Sequence, residues 1–73
     1  MRGSMKDWRV IKRMTEAEDG YIYKTKRYVF IRNAEIVTRV PIMAYRMYGE
    51  KAFLEYGEFY CNIKEEGFGE MMK

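Results

Sequence analysis

Apolar and polar residues alternate along the chain up to Pro41 and follow a different period after it. From Trp8 to Met14, the set Trp8, Val10, Lys12 and Met14 alternates with Arg9, Ile11 and Arg13. That pattern predicts a strand over 8–14 with one mainly apolar side and one largely basic side. Thr15-Glu16-Ala17-Glu18-Asp19-Gly20 is a polar connection ending in Asp-Gly, a turn signal. Residues 21–32 are rich in Tyr, Val, Ile, Phe and Thr, which suit a pleated, half-buried surface. Their alternation slips near Thr25–Arg27, where Tyr21 and Tyr23 fall out of phase with Tyr28 and Phe30. A bulge or tight turn there restores the phase. Asn33-Ala34 can turn the chain, because Asn tolerates a left-handed backbone. Residues 35–40 then read as a further strand, with Ile36 and Val40 on one side and Val37 and Arg39 on the other.

After Pro41, the residues Ile42, Tyr45, Gly49, Ala52, Phe53, Tyr56, Tyr60 and Ile63 recur at three- and four-residue steps, an apolar helical stripe. Gly49 and Gly57 are weak points, each costing about 1 kcal/mol relative to Ala inside a helix. The reading is a main helix over about 50–65, with 41–48 either an entering helical turn or a continuation of the last strand. Gly67 suits the position just past the helix end, with Phe68 packing back on Ile63. Residues 69–73 read as a frayed tail. The predicted class is α+β: a small antiparallel sheet of about three strands (8–14, 21–32, 35–40) with one main helix (about 50–65) packed on one face. Tyr48-Gly49-Glu50 and Tyr56-Gly57-Glu58 repeat at a spacing that does not stack on a helix, and chance explains them.

Seventy-three residues accommodate one domain. Met1-Arg2-Gly3-Ser4 ahead of Met5 resembles an expression-vector leader, so residues 5–73 are taken as the domain. A chain this short buries only about 60% of its unfolded surface, so its core is marginal and self-association would help it. The single cysteine, Cys61, permits no internal disulfide, and its apolar neighbours make it a small buried side chain on the predicted helix. With one Cys and no His, the usual zinc, iron–sulfur and haem ligand sets cannot be assembled within one chain, nor can a Ser–His or Cys–His pair. No glycine-rich phosphate loop or calcium-type acid ladder occurs. The expectation is therefore a non-enzymatic protein without cofactor or metal. Lacking a signal-peptide or membrane-length apolar run, it is assigned to the cytoplasm.

Charge adds one large-scale feature. Residues 6–48 hold ten Lys and Arg against five acids, and residues 49–73 hold three Lys against six Glu. Within the basic part, Tyr21, Tyr23, Lys24, Lys26, Arg27, Tyr28, Phe30 and Arg32 interleave rings with cations, and Arg39 follows on the next strand. Nucleic-acid platforms use this mixture, cations for phosphates and rings for unstacked bases. The bland alternative is rings in the core of a tiny sheet, with cations solvating its exposed face. The expected binding residues are Tyr21, Tyr23, Lys24, Lys26, Arg27, Tyr28, Arg32 and Arg39, facing nucleic acid or an acidic protein surface. A second class is a small protein–protein regulator or inhibitor, in the style of phage accessory proteins, acting through residues 42–60. Met43, Met47, Tyr48, Leu54 and Phe59 lie off the main stripe there and would form the interface, a homodimer contact included.

Overall fold

A computed structural model describes residues 7–65 of the chain. The vector-like leader, the predicted Gly67–Phe68 stop and the 69–73 tail lie outside the described residues. The order of elements is α1 (Trp8–Glu16), β1 (Ile22–Lys24), β2 (Tyr28–Asn33), β3 (Ile36–Pro41), α2 (Ile42–Tyr48), α3 (Lys51–Tyr56) and β4 (Glu58–Asn62). The four strands form one antiparallel sheet in the order β1-β2-β3-β4. The domain is α+β, with a helical layer on each face of the sheet.

The first segment corrects the expected strand over 8–14. Asp7 caps α1, its carboxylate accepting the Arg9 amide at 2.9 Å. The helix buries Val10, Ile11 and Met14, a set at helical spacing that a strand would have split across two faces. No Gly or Pro interrupts this stretch, and its Arg, Lys, Met and Glu favour a helix over the weaker preference of Val, Ile and Thr.

The slip in residues 21–32 is a turn. Ile22–Lys24 pairs with Val29–Ile31 as a hairpin, and Thr25 shapes its tip. The Thr25 Oγ1 donates to the Tyr28 carbonyl (3.0 Å) and accepts the Tyr28 amide (3.0 Å). The next turn places Ala34, and not Asn33, at a left-handed φ of 54°. Its amide donates to the Asp19 carboxylate at 2.7 Å, which holds the turn against the α1–β1 connection.

The predicted helix over 50–65 is replaced by two short helices and a strand. The chain turns at Gly49, whose φ of 63° suits glycine, and leaves helical geometry at Gly57. Residues 41–48 are helical beyond Pro41, which ends β3. Cys61 is buried, as expected, but on β4. Between Val37/Thr38 and β4 the register shifts, so that Val37 faces Cys61 and Thr38 faces Phe59. Tyr60 is the extra residue of that bulge, and both Tyr60 and Cys61 are buried. Tyr60 and Ile63, both buried and three residues apart, thus continue the helical spacing of the stripe, and this is why the pattern read as a helix.

Each face has its own core. On one, α1 packs Val10, Ile11 and Met14 against Phe30, Val37, Tyr60, Cys61 and Ile63, with Tyr21, Tyr23 and Tyr28 at its margin. On the other, α2 and α3 cover Val29 and Val40 with Ala52, aided by Ile42, Ala44, Tyr45 and Phe53. The expectation of a helix on one face alone is thus corrected. No helix among the described residues is long and apolar enough to cross a membrane.

Candidate nucleic-acid interface

Strand alternation decides where the basic-aromatic residues go. Tyr23, Tyr28, Phe30, Arg32 and Arg39 project to the α1 side, as the pairs Tyr23↔Phe30 and Phe30↔Arg39 require. Lys24 projects to the opposite side, where its ammonium lies 5.3 Å from the centre of the Tyr45 ring. The predicted set is therefore divided by the sheet.

Arg32 is occupied by the fold. Its Nη1 donates to the carbonyls of Met14 (3.0 Å) and Thr15 (3.1 Å) and to that of Ala17, and its Nε donates to the Ala34 carbonyl (2.9 Å). It thereby caps the end of α1, where the carbonyls carry the negative pole of the helix. The guanidinium that sequence reasoning assigned to a ligand holds α1 to β2 instead.

Lys26, Arg27, Tyr28 and Arg39 are brought together. Together with Asp7, Val10, Thr25, Phe30 and Tyr60 they line a concavity of about 480 Å³. Thr25 positions the two cations at the hairpin tip, and the Ile42 amide donates to the Arg27 carbonyl at 2.8 Å to fix that tip. Neither the Lys26 nor the Arg27 side chain has a hydrogen-bond or ion-pair partner among the described residues. The Arg39 guanidinium lies 4.3 Å from the Tyr28 ring centre and 5.4 Å from that of Tyr60. Its Nε donates to Glu58 at 3.2 Å. Among the described residues its two terminal nitrogens make no hydrogen bond, so a rigidly held fork faces the concavity.

Tyr60 closes this site, and the sequence reading missed it by placing it in a helical core. Its ring meets Phe30 edge-on at 4.9 Å, and its hydroxyl accepts the Asp7 amide at 2.7 Å. Burial pushes the Tyr60 hydroxyl above the usual tyrosine range, a shift that the Asp7 hydrogen bond opposes. The two acids at the site are already engaged, Asp7 on the start of α1 and Glu58 on Arg39.

A second concavity of about 570 Å³ runs along α1, lined by Arg9, Lys12, Arg13, Glu16 and Tyr23. Arg13 lies 4.9 Å over the Tyr23 ring, and Tyr23 stacks on Tyr21 at 6.5 Å. The Tyr21 side chain is the main cause that raises the Arg13 guanidinium above its ordinary value. Lys12 is paired with Glu16 at 3.0 Å. Because Tyr23 and Phe30 are cross-strand neighbours, the two concavities form one basic-aromatic band on the α1 side.

The other predicted set lies on the opposite side or at its edge. Met43, Met47 and Tyr48 of α2, Leu54 of α3 and Phe59 of β4 are all exposed, and Tyr48 stacks on Tyr56 at 5.5 Å. Among the described residues no group of Cys, Asp and Glu side chains is placed to hold a metal ion. Searches with protein-family models, curated proteins and solved structures each returned no match to this chain.

Proposed function

We propose that the protein is a non-enzymatic binder of single-stranded nucleic acid, acting through the band on its α1 side. One observation carries this reading: Lys26, Arg27 and Arg39 converge with Tyr28 on a single concavity although they come from a turn and two strands. The cations of the tip, which have no partner among the described residues, and the fork of Arg39 suit phosphates, and a concavity of about 480 Å³ has room for an unstacked base beside Tyr28. Arg9 and Arg13 continue the positive path along α1. A duplex, whose bases stay stacked, would use only the cations.

Salt dependence tests it. If about four cations meet phosphates of a single strand, log affinity falls with log salt at a slope of about −3. The double variant Lys26→Glu with Arg27→Glu should flatten that slope by about 1.4, the share of two phosphates. Failure of fluorescently labelled DNA and RNA oligonucleotides to bind at low salt overturns the reading, as does a double variant that binds like the parent.

A separate observation favours a second contact surface for protein. The five residues expected to form an interface, Met43, Met47, Tyr48, Leu54 and Phe59, are each 45–88% exposed. Exposed apolar side chains gathered into one patch mark interaction sites, and Met43 and Met47, one turn apart on α2, lie beside the stacked Tyr48 and Tyr56.

A further inference from the structure

The helical layer opposite the basic band is poorly enclosed by the described residues. α2 contains no buried residue, and α3 contains only Ala52. Helices of seven and six residues are too short to persist without tertiary support. Yet this layer and the adjoining β4 expose Met43, Met47, Tyr48, Leu54, Tyr56 and Phe59. At about 200 Å² for a large side chain, their fractional exposures amount to roughly 750 Å² of largely apolar surface. A stable dimer of standard size buries about 800 Å² on each partner.

We infer that this face binds a second copy of the same chain, an inference that rests on the protein-contact reading of this surface. Charge selects the copy as the occupant. Among the exposed side chains of the α2–α3 layer are Arg46 and Lys51, balanced by Glu50 and Glu55. Lys24 adds one positive charge at the margin beside Tyr45, and a face that carries both signs can pair with itself across a two-fold axis. The basic band on the other side would repel its own image. The dimer covers α2 and α3 and leaves two basic bands facing outward.

Sedimentation equilibrium from micromolar to millimolar concentration reads the mass directly. The expected result is a shift from 8.9 kDa to twice that value, unaffected by Lys26→Glu with Arg27→Glu. The double variant Met47→Glu with Leu54→Glu should weaken association at least about a hundredfold. Should that variant fail to fold, the parent protein supplies a second measurement. In a mixture of labelled and unlabelled chains, intermolecular NMR contacts should appear at the Met43 and Met47 methyls. A dimer lacking those contacts, or one that survives the Met47/Leu54 change, overturns the inference. So does association that continues past the dimer and is abolished by the Lys26/Arg27 change, which indicates basic-to-acidic, head-to-tail contact. A monomer at every concentration also overturns it, and a soluble paramagnetic probe then separates two cases. Met43 and Met47 methyls open to the probe leave the surface available to another protein. Methyls shielded in the monomer are covered by the chain's own terminal residues, and the protein-contact reading falls too.

Discussion

Arg32 and Arg39 carry the same guanidinium on the same sheet face, and their neighbours give them opposite roles. Arg32 meets backbone carbonyls from α1 and from the β2–β3 turn. A lysine there is a single point donor and cannot span them. Arg32→Lys should cost about 1.5–3 kcal/mol in urea unfolding, the range for hydrogen bonds to a charged group. Arg39→Lys keeps the charge and loses the fork, so it should weaken oligonucleotide binding while leaving stability nearly unchanged. Equal stability losses in the two variants would contradict this division. Nothing in the sequence distinguished these arginines, because the difference arises from the position of α1, which had been read as a strand. Tyr60 was hidden for a related reason, since only the bulge turns it toward Asp7. Its raised pKa also fixes a pH dependence. The folded state holds the phenolic proton more tightly than the unfolded chain, whose tyrosines titrate near pH 10. The Tyr60 contribution is therefore fully present below about pH 10 and is lost as pH rises through the elevated folded value. Tyr60→Phe should lower stability by about 1 kcal/mol at neutral pH and remove part of the alkaline decline. Identical pH profiles above pH 10 would refute that assignment.

At the scale of elements, the hairpin β1–β2, the strand β3 and the start of α2 were legible, because period and turn residues agree there. The out-of-phase tyrosines located the turn at Thr25–Arg27, and Pro41 marked the end of a ladder. The two misreadings share a physical origin. Over 8–14 the apolar residues fit both a two-residue and a helical period, and the Asp7 cap decides between them. At β4 the bulge turns Tyr60 inward, three residues before the buried Ile63, and so imitates a helical stripe. Gly57 offers a direct check on the second. In the structure, a Cβ at this position would collide with the Phe53 carbonyl oxygen. Gly57→Ala should therefore destabilise the protein by about 1–3 kcal/mol. A helix running through residue 57 would instead gain about 1 kcal/mol from the same change. The sign of the shift in a denaturation midpoint is enough to choose.

For the whole molecule, the charge asymmetry in the sequence pointed to a real separation of surfaces, but the boundary is the sheet and not the midpoint of the chain. Lys24 belongs to the basic segment by position and to the Tyr45 side by alternation. Arg9 and Arg13 join the band only because α1 is a helix lying beside β1 and β2. The concavity is walled by Asp7 and Val10 from the start of the described chain and by Tyr60 from near its end. No fragment holding only one of these walls could retain it. A ligand bound in the cleft would therefore couple occupancy to folding, acting as a clasp between distant segments, and partial opening at either one would release it.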